Sequence, residues 1–288
     1  MKRIVSIQDI SCIGKCSLGV ALPVLSAMGI ECACLPTALL SAHTAFDGFH
    51  AHDLTGDFLP ISAHWKALGL HFDAIYTGYL GAERQIELVQ GFLSDFAAED
   101  TRIFIDPVMA DRGKLYSGIA PTFPDKMREL CRHADILTPN VTEACLLTGT
   151  EYRTRHDTAY VRSLLEKLLA LGVGTAIITG IHPDDAHMGV AVMNKSGELR
   201  LHMAQYLPVV CMGTGDLFAS VCVGALTRGL PAADAIALAA DHVVETIRAT
   251  TADPDARWYG VNFEATLPQL MTRLGLLPAQ DTFRRGEA

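Results

Sequence analysis

Short apolar runs alternate with longer helical patterns along most of this 288-residue chain, and that alternation decides the fold class. Arg3–Gln8 (RIVSIQ) reads as a strand, Ser11–Ser17 as a small-residue loop, and Leu18–Met28 as a helix that Gly29 ends. Glu31–Leu40 and Asp73–Thr77 read as strands and Glu83–Phe96 as a helix. Arg102–Asp106 and Asp135–Thr138 are short strands, each stopped by a proline. Asp157–Leu171 is amphipathic and helical, and Thr175–Thr179 (TAIIT) is a further strand. Met188–Asn194 and Leu199–Gln205 flank the turn Lys195-Ser196-Gly197 as a hairpin. Helices rich in small residues follow over Asp216–Thr227 and Ala232–Ile247, with a last one near Phe263–Leu274. Strands that alternate with helices make βαβ units, which build a mostly parallel sheet covered on both faces. Runs as apolar as TAIIT suit strands buried on both sides. No Pro/Gly/Ser linker divides the chain, so residues 1–288 are expected to form one domain with a frayed tail over about 279–288.

Charge and cysteine usage exclude several function classes. The net charge of −9 argues against a nucleic-acid binder, which needs a basic stripe to neutralise phosphates. It argues equally against a protein held on a membrane surface by Lys and Arg. No window approaches ~18 uninterrupted apolar residues, and the N-terminus MKRIVSIQDI lacks the apolar length of a signal peptide. A cytoplasmic location is expected. The eight cysteines show no Cys-x-x-Cys spacing, so a structural zinc site and a disulfide scaffold are both disfavoured against buried free thiols.

Ligands of parallel sheets sit at the carboxyl ends of the strands, so the polar residues just after each strand carry the chemistry. Gly213-Thr214-Gly215-Asp216 opens a helix. Its glycines let backbone N–H groups converge, and the helix N-terminus adds its positive dipole end, which together make an anion hole without a basic side chain. Asp216 beside such a hole can accept the proton of an incoming hydroxyl in phosphoryl transfer. The competing reading is a plain Gly-rich turn whose aspartate steadies the helix start. Asp106-Pro107-Val108-Met109 ends a strand on an acid that can hold Mg²⁺ directly or through water, and Arg112 and Lys114 follow in the loop. Asn140 and Glu143 lie three apart at a helix start. They can form a capping box, or Glu143 can organise the waters of a metal ion near phosphates. His43 and Thr44 precede Phe46 and Phe49 and can line a pocket for a flat heterocycle, although a histidine there is as readily a structural hydrogen-bonding group. Tyr79, within Gly78-Tyr79-Leu80-Gly81, ends another strand.

Taken in this order, these segments resemble the ribokinase-like superfamily of small-molecule kinases, and within it the pyridoxal kinase (vitamin B6 kinase) family. The matching stretches, from Ile7-Gln8 to Gly213-Thr214-Gly215-Asp216, span roughly Ile4 to Thr250. The resemblance implies a three-layer α/β/α fold with a mostly parallel central sheet. It implies transfer of the ATP γ-phosphoryl group to a hydroxymethyl on an aromatic heterocycle, in a homodimer using Mg²⁺ and often a monovalent cation such as K⁺. Asp216 then matches the base, and the N–H groups of Gly213, Thr214 and Gly215 match the anion hole. Asp106 and Glu143 match the metal- and phosphate-side acids, acting through water. Asn140 and Thr179 fall on the nucleotide side, and His43, Thr44 and Tyr79 in the vitamin pocket.

Two departures qualify the match. Family members carry Ser-His after the glutamine, and the serine contacts the pyridine ring; here Asp9-Ile10 follows Gln8. An aspartate there favours a substrate with an amine or a protonated ring nitrogen, and it also suits the amino-pyrimidine of hydroxymethylpyrimidine. Ala110 stands where glycine is usual. Related hydroxymethylpyrimidine kinases often place cysteine at the base position, whereas this chain has Asp216, with Cys211 five residues earlier. That favours the vitamin B6 reading over a hydroxymethylpyrimidine (phosphate) kinase. The retained Asp216, Glu143 and glycines argue against a non-catalytic ligand-binding relative. An NAD-dependent oxidoreductase would need Gly-x-Gly-x-x-Gly after the first strand, where the chain reads DISCIGKC.

Overall fold

The computed structural model describes residues 1–278, so the frayed tail expected over 279–288 lies outside the described residues. The chain runs β1 (Arg3–Ser11), α1 (Leu18–Ala27), β2 (Glu31–Leu40), β3 (Ala51–Asp53), α2 (Thr55–Ala67), β4 (Ala74–Thr77), α3 (Glu83–Phe96) and β5 (Arg102–Ile105). Then come β6 (Ala110–Asp111), β7 (Lys114–Leu115), α4 (Phe123–Cys131), β8 (Ile136–Leu137), α5 (Val141–Thr148), α6 (Thr158–Leu169) and β9 (Thr175–Ile181). β10 (His187–Asn194), β11 (Leu199–Gln205), α7 (Thr214–Thr227), α8 (Ala232–Ala252), a 3-10 turn (Phe263–Ala265) and α9 (Leu267–Arg273) complete it.

Nine strands form one sheet in the order β11-β10-β9-β8-β5-β4-β1-β2-β3. The six from β9 to β2 run parallel, as helical crossovers require, and antiparallel strands close both edges. One face packs α2 to α6 through Phe58, Phe92, Leu130 and Leu164. The other packs α1, α7 and α8 through Leu25, Leu217, Val221 and Ile236. Each such side chain stabilises the fold by roughly 1.5–3 kcal/mol when fully buried. The three-layer α/β/α architecture with a mostly parallel sheet therefore stands.

The chain leaves β1 for β2 on one side, and β4 joins β1 on the other. That reversal opens a crevice at the carboxyl ends of β1 and β4, where an open α/β sheet binds its ligand. The pairing of β1 with β2 slips beside it: Gln8 faces Pro36 and Ile10 faces Leu39, so β2 spends an extra residue opposite Asp9. Such bulges re-aim side chains next to sites.

The sequence pattern missed several elements, for local reasons. α2 carries Gly56 and Pro60, which broke the helical pattern, and α4 is only nine residues long. β3 and the β6–β7 hairpin are two or three residues each. β1 runs on to Ser11 and α8 to Ala252, while the last predicted helix splits at Thr266 because Pro268 starts a new one. The eight cysteines are all free, but only Cys131, Cys145 and Cys222 are buried and Cys12 is exposed, which corrects the expectation of a buried set.

Candidate active site

The strand order sorts the predicted residues into two groups. Asp106 and Asn140 follow the carboxyl ends of β5 and β8, and Thr179 lies in the last part of β9, while Tyr79, Asp9 and His43 come from β4, β1 and the end of β2. These are two adjacent sets of three strands, divided at the β4–β5 boundary. Asp216 on α7 lies between them: its carboxyl is close enough to feel Asp9, and Asp106 and Tyr76 feel it in turn.

On the first side, Glu143 and Asn140 form the capping box of α5. Asn140 Oδ1 accepts the Glu143 N–H at 3.0 Å, and Glu143 Oε2 accepts the Asn140 N–H at 2.9 Å. Glu143 Oε1 meanwhile accepts the Met109 and Ala110 N–H groups at 3.1 and 3.4 Å, and Asn140 Nδ2 donates to the Ala110 carbonyl at 2.8 Å. The pair thus fastens the Asp106–Ala110 loop to α5. The helix-cap reading is met: the Asn140 side chain uses one Nδ2 donor and its Oδ1 on backbone. Ala110 serves through its backbone, so a methyl in place of the usual hydrogen changes little. Thr179 donates its N–H to the Pro139 carbonyl at 3.0 Å, which places it beside Asn140.

Burial pushes the Glu143 carboxyl up to about 8 and Asp106 well above the ordinary value, with Glu143 and Asp216 adding repulsion on Asp106. Among the described residues no Lys or Arg forms an ion pair with Asp106 or Glu143, and the nearby Thr138 hydroxyl only partly offsets the rise at Asp106. A pair of unneutralised buried acids is the chemistry of a cation site. Among the described residues no three His, Cys, Asp or Glu groups are arranged to hold an ion by themselves. That pattern suits Mg²⁺, which keeps several waters and shares its shell with phosphates.

α7 begins at Gly213, whose φ of +78° no L-residue adopts freely and whose side offers no cap. A Cβ there would meet the Lys15 carbonyl oxygen at 1.8 Å. The first N–H groups of α7 are left without intrahelical partners, as at every helix start. Burial raises the Asp216 carboxyl to about 7, against the Ser17 N–H and its own N–H, while Asp9 raises it further. An aspartate at about 7 is a far better proton acceptor at neutral pH than an ordinary one.

Across the crevice, Asp9 is 4% exposed and accepts the Ser11 hydroxyl at 3.2 Å. Gln8 packs so close to the β4 end that a Cβ on Gly78 would meet its Oε1 at 2.4 Å. Tyr79 is half-buried, and that burial, with Asp9 nearby, raises its hydroxyl above the ordinary value. His43 is buried, and both its nitrogens are spent on backbone. Nδ1 accepts the Ala45 N–H at 3.1 Å, so Nε2 carries the proton and donates to the Tyr259 carbonyl at 3.1 Å. His43 is therefore a wall of the pocket, not a free donor, and the adjacent Thr44 is exposed at the lip.

The sequence reading missed the aromatic group from the C-terminal segment. Trp258, 61% exposed, and Tyr259 pack with tilted rings around Phe46, at ring centroids 4.5 and 5.6 Å away. The dipeptide Trp-Tyr after Arg257 was the available signal. Lys15 was also missed; it donates to Asn262 and pairs with Glu264 at 2.8 Å, tying the Cys12–Ser17 loop to that segment.

Fold and site together define a ribokinase-like small-molecule kinase. The sequence profile described as phosphomethylpyrimidine kinase matches residues 22–257, and the chain belongs to that family. A Bacteroides thetaiotaomicron protein carrying the same family name superposes with a TM-score of 0.90 at 38% identity, over 97% of this chain and 95% of its own. A second crystal form of it was solved with pyridoxal, at a TM-score of 0.89 over 93% of this chain and 95% of its own. Pyridoxal kinase from Lactobacillus plantarum is 33% identical with a TM-score of 0.87, over 95% of this chain and 98% of its own. The pyridoxine/pyridoxal/pyridoxamine kinase of Bordetella pertussis is 29% identical over 258 residues, 86% of this chain and 89% of that protein.

Proposed function

We propose that this chain is an ATP-dependent kinase that phosphorylates the hydroxymethyl group of pyridoxal, pyridoxamine or pyridoxine. The observation that carries the reading is Asp216, an aspartate raised to about 7 at the open start of α7, between an acidic phosphate side and an aromatic pocket. The pyridoxal-bound neighbour and the vitamin B6 kinases among the relatives support the substrate class. The substrate hydroxyl gives its proton to the Asp216 carboxylate as its oxygen bonds the γ-phosphorus and the bond to the ADP leaving group breaks. Because that transition state is loose, the proton leaves late, and the base contributes ~10²–10⁴-fold. The N–H groups from Gly213 to Asp216 hold the charge on the transferring phosphoryl. Asp106, with Glu143 through water, would hold Mg²⁺, which when bound neutralises phosphate charge. Thr179 lies on the same nucleotide side. Tyr79, His43 and Thr44 bound the heterocycle, with Asp9 facing its ring. The reading includes a cytoplasmic homodimer using K⁺; among the described residues no helix is long and apolar enough to cross a membrane.

The family name favours a second reading, a hydroxymethylpyrimidine kinase with the same chemistry. ATP consumption measured with each vitamin B6 form and with hydroxymethylpyrimidine separates the two. Turnover confined to hydroxymethylpyrimidine would overturn the first reading. Asp216→Asn is expected to fold, to bind ATP and to lose ~10²–10⁴-fold in kcat. Near wild-type kcat in that variant would remove Asp216 as the base.

A further inference from the structure

The C-terminal segment from Trp258 to Glu264 is tied to three loops of the site. Val261 donates its N–H to the Met212 carbonyl at 3.3 Å, one residue before Gly213. The Tyr259 carbonyl accepts His43 Nε2 at 3.1 Å and the Lys15 N–H at 3.4 Å. Asn262 is fixed in turn to the end of α8. Its N–H goes to the Thr250 hydroxyl at 2.8 Å, and its Nδ2 to Asp253 at 2.7 Å. The segment therefore joins a long helix to the anion-hole turn, to the loop after β1 and to the loop after β2.

These ties meet at Lys15. Its side chain is 17% exposed and lies over Gly260, where a Cβ would meet the lysine stem at 2.4 Å. Its ammonium donates to Asn262 Oδ1 at 3.0 Å, pairs with Glu264 at 2.8 Å and stands 5.8 Å from the centre of the Phe263 ring. A lysine so enclosed is costly unless its charge is met, and consecutive residues of one segment meet it. Neither Asp9 nor Asp216 takes this charge; among the described residues the carboxylate partner of the ammonium is Glu264. At the other end of the residue, the carbonyl oxygen lies 1.8 Å from where a Cβ on Gly213 would stand. Lys15 thus touches the start of the anion hole with its backbone and grips the C-terminal segment with its side chain.

We propose that Lys15 is a positioning residue for phosphoryl transfer: by clamping the segment Trp258–Glu264 onto the loop after β1, it holds Gly213 and the first N–H groups of α7 in register with the transferring phosphoryl. This rests on the kinase reading given above. Gly213 has no side chain to anchor it. Its place is set by what packs on it, the Lys15 carbonyl on one hand and the bond from Val261 to Met212 on the other. Both contacts run through the segment that Lys15 grips. Donors of an anion hole act where charge develops, and a displacement of about 1 Å can cost ~10²-fold in rate.

Lys15→Met keeps an apolar stem over Gly260 and removes the charge, so the variant is expected to fold. Asn262→Ala removes the facing acceptor and leaves the backbone bonds of Val261 and Asn262 in place. Assayed well below Tm, with the fold checked by circular dichroism, each variant is expected to lose about tenfold or more in kcat, with KM for ATP unchanged. The double variant loses no more than the worse single one, because the two groups form one link. Additive losses overturn the proposal. A role in stability alone would lower Tm and leave kcat at wild type, and that result overturns it too. So does a raised ATP KM in Lys15→Met beside wild-type kcat in Asn262→Ala, the signature of an ammonium that touches phosphate directly. Hydrogen exchange supplies a readout without turnover. The amides of residues 209–216 are expected to exchange faster in Lys15→Met than in wild type, and those of α5 at the same rate. Equal exchange over 209–216 overturns the link to the anion hole, whereas a wild-type protein inactive on every vitamin B6 form overturns the kinase reading alone.

Discussion

At the scale of single residues, the site is governed by carboxylates whose neighbours decide their charge. Asp216 and Asp9 repel one another, and no cation among the described residues acts on Asp216. A substrate carrying positive charge on its ring or its amine would relieve that repulsion. Replacing the carboxylate by a hydroxyl at Asp9 therefore changes preference among substrates more than it changes rate. Asp9→Ser is expected to shift the ratio of kcat/KM for pyridoxamine over pyridoxine by about 10-fold, since hydrogen bonds to charged groups contribute ~1.5–3 kcal/mol. An unchanged ratio removes Asp9 as a specificity residue. Asp216 and Asp106 were legible in the sequence because their chemistry is announced by chain-neighbours: glycines at a helix start, and a proline after a strand. For His43 the sequence offered a structural hydrogen-bonding role beside the pocket role, but not its partners. Its nitrogens are consumed by Ala45 and Tyr259, and the second lies 216 positions away, beyond any local pattern.

Among elements, α5 and the β6–β7 hairpin act as one piece. Gly113 donates its N–H to the Thr142 hydroxyl at 2.9 Å, and the hairpin carries exposed Arg112 and Lys114 at its turn. Asn140→Ala removes both the helix cap and the bond to the Ala110 carbonyl. We expect a loss of ~1–2 kcal/mol, read as a fall of roughly 2–4 °C in Tm for each kcal/mol. KM for ATP is expected to rise while KM for the heterocycle stays, because only the phosphate side loosens; equal rises in both would refute the division. The long strands and helices were readable from periodicity: β2 and α3 fall on the residues the pattern marks. α2 was not, because Gly56 and Pro60 are poor helix formers that Phe58 and its packing against Phe92 override. The loop from Cys12 to Ser17 was likewise opaque. Its conformation is imposed by Gly213 and Asn262, which no window around it contains.

For the whole molecule, buried acids make stability depend on pH. The Asp216 carboxyl rises from 3.8 to about 7, and Glu143 from 4.5 to about 8. Groups raised in this way stabilise the fold below their unfolded values, and that contribution is lost as pH climbs through the folded ones. His242, held down to about 4 by burial, works in the opposite sense between about 4 and 6.5. The contribution of Asp216 is isolated by subtraction. In metal-free protein, Asp216→Asn is expected to gain Tm relative to wild type at pH 8 and to gain less at pH 5, with calorimetry as the measurement. Added Mg²⁺ should narrow the gap at pH 8. A difference independent of pH would mean that the carboxyl is not raised. The strand order has a different consequence, for inheritance. On the proposed reading, the phosphate-side residues come from three neighbouring strands and those proposed around the ring from the next three. Mutation can therefore remodel the ring pocket while the other half keeps transferring phosphate, and new vitamin preferences can arise without passing through a dead enzyme.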